Sequence, residues 1–167
     1  MVKINSLVET CAHFFSEKGR LSTAIPGFST RAPQLELAQA IAESIEEKST
    51  LVAEAGTGTG KTFAYLLPCL LSRKKTLIST ATKTLQDQLY QKDLPTLVRA
   101  LGFSVRIQNL KGRVNYICQH RVNLYAEEGQ FQSAQCAQEI LHVRSKLSQM
   151  KLGDRSELPE ISEDSPV

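Results

Sequence analysis

The chain has 167 residues, enough for one domain with a sizeable core. Its 41% hydrophobic and 22% charged residues are ordinary for a soluble globular protein, and no run approaches the ~18 consecutive apolar residues of a membrane span. A net charge of only +3 excludes a histone-like binder, so any nucleic-acid contact must come from local placement of charge.

The opening stretch "MVKINSLVETCAHFF" is interrupted by Glu9 and His13 and does not read as a secretory signal. The four cysteines, Cys11, Cys69, Cys118 and Cys136, are therefore expected in a reducing compartment, and none forms a CxxC pair. Val2, Ile4, Leu7, Val8, Cys11, Phe14 and Phe15 are spaced for a helix over residues 1–19 that stops at Gly19. After the loop "RLSTAIPGFSTRAP", Pro33 suits a first helical turn. Leu35, Leu37, Ala38, Ile41, Ala42 and Ile45 then predict a helix to about Lys48.

"STLVAEA" and "KTLISTA" read as short buried strands on either side of a helical "KTFAYLLPCLLSR". Further helices are predicted over Lys83 to Gln91 and from Pro95, with "FSVRIQNL" as a third strand. This alternation predicts an α/β fold with a parallel sheet. Beyond Tyr116 the pattern is helical, with Phe131, Ala134, Ala137, Ile140, Leu141, Leu147 and Met150 on one face. From Leu152 the chain turns acidic and polar, which predicts disorder over 152–167. Positive charge gathers in the middle, at Arg73, Lys74, Lys75, Lys83, Arg106, Lys111, Arg113 and Arg121; alone, this reads equally as a solvated basic face.

Between the first predicted strand and its helix stands "AEAGTGTGKT". Phosphate needs backbone N–H groups converging at a helix start, and Gly56, Gly58 and Gly60 permit such a turn. Lys61 would then reach the β- and γ-phosphates and the Thr62 hydroxyl would hold Mg2+. Ala55 stands where the strict GxxxxGK[ST] pattern has glycine; its small Cβ is tolerable if its φ stays negative. Ala55, Gly56, Thr57, Gly58, Thr59, Gly60, Lys61 and Thr62 are thus the candidate nucleotide-binding residues. A plain Gly/Thr linker would not explain Gly-Lys-Thr joining an apolar strand to an apolar helix.

Together, "FSTRAPQLELAQAI", "AEAGTGTGKT", "TLISTATKTLQDQLYQKDLP" and "LKGRVNYICQHRVNL" resemble the superfamily 2 DNA helicases of the XPD/DinG type. The resemblance runs over essentially the whole chain. It implies part of a RecA-like P-loop motor lobe over 1–112, the helical start of an iron–sulfur domain over 113–151, and a tail over 152–167. It further implies that Gln34, with Arg31 beside it, reads adenine; a solvated Gln on an amphipathic helix is the plainer reading. Thr80, Thr82, Lys83 and Gln86 match the family's first DNA-contacting motif, although Thr80 and Thr82 alone would read as strand-end or capping residues.

Cys118 matches the first of four ligands to a [4Fe–4S] cluster; without the resemblance it would read as a small buried hydrophobe. ATP, Mg2+ and the cluster are the implied cofactors. Single-stranded DNA and replication or repair proteins are the implied partners, without a membrane, in a cytoplasmic, nucleoid-associated setting. The implied activity is ATP-driven 5′→3′ translocation.

Hydrolysis also needs an acidic motif at a strand end, and no hydrophobic strand followed by Asp-Glu occurs after residue 76. The chain is therefore expected to be the N-terminal part of a longer helicase and inactive alone. The competing reading is a non-catalytic nucleotide- or DNA-binding module. A small P-loop kinase fits less well, for want of an arginine-rich lid segment.

Overall fold

Ser6 begins the part of the chain that the computed structural model describes, residues 6–161. Val2 and Ile4 of the first expected helix, and residues 162–167 of the expected tail, lie outside the described residues. The chain divides into two compact units, Met1–Asn109 and Leu110–Val167.

In the first unit the Ser6 hydroxyl accepts the Glu9 N–H and caps α1, Leu7–Phe15, whose buried residues are Cys11 and Phe15. A short α2, Arg20–Ala24, follows inside the stretch expected to be loop. Helix α3, Ala32–Glu47, starts with Pro33 in its first turn and ends at Lys48, which takes the left-handed conformation at φ 58°. Its buried positions Gln34, Ala38 and Ala42 recur every four residues, and the small alanines let it pack closely on α1 and α4.

Helix α4, Lys61–Leu71, buries Ala64, Leu66, Leu67 and Pro68. Helix α5, Lys83–Gln88, runs through a π-helical turn at Leu89–Asp93 into α6, Leu94–Leu101. The two helices expected here are one continuous path, with Pro95 at the start of α6 directly after the π-helical turn. Phe15, Leu21, Leu66, Leu67, Leu97 and Leu101 make the fully buried centre of this unit. Burial of each such side chain contributes about 2 kcal/mol of transfer free energy.

The expected α/β fold is corrected: among the described residues there are helices and no strands. The three segments read as strands, 49–55, 75–81 and 103–110, are irregular and pair with nothing in a ladder. Val52 is 93% exposed and Leu77 95%. An apolar run reports a preference for burial, whereas a strand also requires a neighbour for its N–H and C=O groups. The second requirement is not visible in local sequence.

The second unit contains α7, Gln119–Glu128, and α8, Ala134–Lys146, with 3-10 turns at Arg113–Asn115, Leu147–Gln149 and Arg155–Glu157. Val122, Cys136, Ile140, Val143 and Leu158 form its core, with Phe131 and Met150 packed against them. Leu141, expected on the buried face, is 52% exposed, and Val143 takes the inward position. Residues 152–161, expected to be disordered, carry a buried Asp154 and a buried Leu158. Composition counts the acidic residues without revealing that Asp154 pairs with Lys111 and that Glu157 accepts backbone N–H groups.

Candidate nucleotide-binding site

The glycine loop lies between the irregular segment 49–55 and the first residue of α4, with Gly60 as the N-terminal cap at φ 82° and Gly58 at φ 76°. Both angles fall in the left-handed region, where a side chain is strained and glycine is not. Ala55 is not among the residues with positive φ, as its place in the pattern requires. Gly56, Thr57 and Gly58 are exposed, while Thr59, Gly60, Lys61 and Thr62 are half-buried. The Thr59 hydroxyl donates to the Gly56 carbonyl at 3.0 Å, closing the turn on itself.

Lys61 Nζ donates to the carbonyls of Ala55, at 2.8 Å, and Gly56, at 2.7 Å. Its ammonium thus sits against the loop, a position from which an anion held there would meet a positive charge. Thr62 follows at the second position of α4, with Tyr65 one turn further on. Burial is the main reason that the Tyr65 hydroxyl titrates above its ordinary value, and the influence of Thr62 works in the opposite direction. Tyr65 was not singled out from the sequence; its three-residue spacing from Thr62 on a helix was the available signal.

The start of α3 is brought to this loop. Gln34 Nε2 donates to the Gly60 carbonyl at 3.0 Å, and the Arg31 guanidinium donates to the Gly58 carbonyl. An aromatic series supports the approach: the Phe15 and Phe28 rings lie 6.2 Å apart, and Phe28 stacks on Phe63 of α4 at 6.1 Å. Residues 27 positions apart in sequence therefore meet because the segment before α3 is pinned to both α1 and α4. Behind the loop, Lys61 and Thr62 also line an open cavity of about 800 Å³ between α3 and α4, which has Lys48, Lys74 and Lys75 but no carboxylate on its walls. Ala55 also lines this cavity, whereas Gly56, Thr57 and Gly58 do not.

Thr80, Thr82, Lys83 and Gln86 gather at the start of α5. The Thr80 hydroxyl donates to the Thr82 carbonyl at 3.2 Å, and the Thr82 hydroxyl accepts the Leu85 N–H at 3.2 Å as the helix cap. Thr82 and Lys83 are exposed, and Thr80 and Gln86 are half-buried. The arrangement offers hydroxyl, ammonium and amide groups together, a set suited to phosphodiester oxygens.

Cys118 caps α7 in the second unit and is exposed. Cys136 is buried in the core of that unit, and no group of three or more His, Cys, Asp or Glu able to hold a metal occurs among the described residues. A [4Fe–4S] cluster takes four thiolates, so the described residues do not by themselves fit that group. The glycine loop, in contrast, brings together groups that fit a polyphosphate with Mg2+: left-handed glycines at a helix start, one ammonium and one hydroxyl.

A family model described as "DEAD/DEAH box helicase" matches residues 34–124, more than half of the chain. The chain is 49% identical over 156 residues to the "ATP-dependent DNA helicase YoaA" of Haemophilus influenzae, covering 93% of this chain and 24% of that protein. It is 46% identical over 151 residues to the protein of the same name from Escherichia coli, covering 90% of this chain and again 24% of the relative. The "ATP-dependent helicase DinG" of Mycobacterium tuberculosis is 39% identical over 111 residues, 62% of this chain and 17% of that protein. The chain thus spans about a quarter of the length of the YoaA relatives that it matches. No described helix is long and apolar enough to cross a membrane.

Proposed function

The chain belongs to the DEAD/DEAH box helicase family, and from that premise we propose that its first unit binds ATP with Mg2+ and contacts single-stranded DNA as part of an ATP-dependent DNA helicase. The carrying observation is the meeting of Arg31 and Gln34 with the Gly58–Gly60 turn directly before Lys61 and Thr62. ATP supplies, when bound, the phosphoanhydride whose cleavage drives such enzymes. The chain's own contribution is recognition: the loop N–H groups receive phosphate oxygens, Lys61 neutralises their charge, and the Thr62 hydroxyl is the group for Mg2+.

Thr80, Thr82, Lys83 and Gln86 are proposed to track the DNA backbone, which requires charge and hydroxyls but no base reading. The motif resemblance extends the proposal to 5′→3′ movement in a repair or replication setting, in the cytoplasm beside the nucleoid, with proteins of those processes as partners. A cluster role for Cys118 is part of the same reading and needs three thiolates besides its own. The test is a titration of the 167-residue chain with a fluorescent ATP analogue and Mg2+. Saturable binding that unlabelled ATP competes away supports the reading, and no binding at millimolar ATP would sink it.

A further inference from the structure

We propose that the π-helical turn Leu89–Asp93, stapled by Gln88 and Asp93, sets the direction in which α5 presents Thr82, Lys83 and Gln86 to DNA, with Asp93 as the positioning residue. The inference rests on the reading of that motif as a track for the DNA backbone. Helix α5 buries none of its residues, so no core side chain of its own fixes its rotation. The first buried positions along this path are Leu89 and Asp93, at the two ends of the turn, followed by Leu97, Ala100 and Leu101 in α6. How α5 stands on α6 is therefore set in the turn.

The sequence builds the turn from both sides. The Leu94 N–H donates to the Leu89 carbonyl, five residues back rather than four, which inserts one extra residue into the helical path. Pro95 follows; in an unbroken α-helix its ring would press on the carbonyl four residues back, that of Gln91. Gln91 is the middle residue of the turn, so the helix widens where that carbonyl needs room. Gln88 Nε2 then donates to Asp93 Oδ2 at 3.1 Å. On a regular α-helix residues five apart lie about 140° apart around the axis and do not meet, whereas across a turn of i→i+5 bonds they stand one above the other. The contact therefore depends on the turn and in return holds it. Asp93 is only 8% exposed, so its part is to fix the turn and not to touch the nucleic acid itself. Removing the extra residue would rotate α5 by about 100° relative to α6 and carry Lys83 to another face.

The experiment measures oligo-dT binding to the whole chain by fluorescence anisotropy, wild type first, with circular dichroism showing that each variant is folded at the temperature used. Asp93→Leu removes the acceptor, and Asp93→Asn keeps one. The proposal expects Asp93→Leu to weaken oligo-dT binding about three- to ten-fold, the range of one lost hydrogen bond, and Asp93→Asn to stay within about two-fold of wild type. Deletion of Gln91, an exposed residue of the turn, is expected to cost about ten-fold or more, with Lys83→Ala adding little in that background. The two Asp93 variants decide the matter by themselves where the deletion variant does not fold. Undiminished oligo-dT binding in folded Asp93→Leu or in the folded deletion variant overturns the proposal. Equal losses in Asp93→Leu and Asp93→Asn overturn it as well, because the charge of the carboxylate and not its hold on the turn would then be what matters. If the wild-type chain does not bind oligo-dT, the DNA reading fails and the proposal with it, an outcome told apart from the others by the wild-type titration alone.

Discussion

Lys111 Nζ lies 2.8 Å from Asp154 Oδ2, with the two side chains only 4% and 8% exposed. The pair joins the two ends of the second unit. Tyr116 forms an antiparallel bridge with Asp154, and the Ile117 N–H donates to the Gly153 carbonyl at 2.8 Å. The Glu157 carboxylate accepts the N–H groups of Lys151, Leu152 and Asp154, so the acidic segment wraps a nest of its own backbone donors. Cys118, next after Ile117, inherits its place from this clasp.

Burial would raise the Asp154 pKa, but hydrogen bonds from Lys111 and Ser156 outweigh it and hold the carboxyl below its ordinary value of 3.8. A carboxyl so depressed adds stability above its ordinary pKa and loses it as pH falls through the folded value. Asp154→Asn is expected to cost about 3 kcal/mol at neutral pH, as for breaking a buried ion pair, and to flatten the acid limb of stability. Urea unfolding between pH 2 and 7 reads both effects, and an unchanged midpoint would contradict the role of the pair.

Gly58 and Gly60 share a left-handed backbone but differ in surroundings. A Cβ on Gly58 meets nothing within 4 Å, whereas one on Gly60 collides with Gln34. Gly58→Ala is expected to cost about 1 kcal/mol from the backbone angle alone, and Gly60→Ala more than that, about 2–3 kcal/mol. Thermal unfolding of the two variants side by side measures the difference; equal costs would mean that Gln34 does not press on the loop.

The cysteines should separate by reactivity. Cys11 is fully buried, and burial first, with Glu46 and Cys69 adding to it, pushes its thiol up to about 12. Cys118 is exposed. Iodoacetamide at pH 8, followed by peptide mass spectrometry, is expected to label Cys118 first and Cys11 last. Because the folded Cys11 value lies above the ordinary 9.0, its contribution to stability is complete below that value and is lost as pH rises toward about 12. Cys11→Ala is expected to flatten this alkaline decline.

Lys83 is exposed at the start of α5 beside the Thr82 cap. Lys83→Ala is expected to weaken single-strand binding by a similar factor on oligo-dT, oligo-dA and mixed sequence, and to lower the salt slope by about one ion. Fluorescence anisotropy at several salt concentrations gives both quantities. A loss that depends strongly on base identity would argue against a backbone contact.

What the sequence made legible were the features with local causes. Pro33 and the apolar stripe after it gave α3 within a residue of its observed span, and Gly-Lys-Thr marked the start of α4. Features with distant causes were not legible in the same way. Leu77 sits in an apolar run and is exposed because nothing among the described residues pairs with its backbone. Asp154 belongs to an acidic, proline-bearing stretch and is buried because Lys111 lies opposite. At the candidate site the loop residues were readable from spacing, and Gln34 and Arg31 from the family motif. That their side chains hold the carbonyls of Gly60 and Gly58 required the fold. Tyr65, one turn after Thr62, is not legible as a site residue because an aromatic residue in an apolar helix reads first as core.

The central claim, that the Ala55–Thr62 loop is a nucleotide site, is tested most directly by calorimetric titration of Mg-ATP into the wild-type chain and into Lys61→Ala. Lys61 Nζ already stands against the Ala55 and Gly56 carbonyls, beside the place where phosphate would enter. Loss of this one cation is expected to reduce ATP affinity at least ten-fold while leaving the unfolding temperature within a few degrees of wild type. Equal ATP affinity in the two proteins would contradict the assignment.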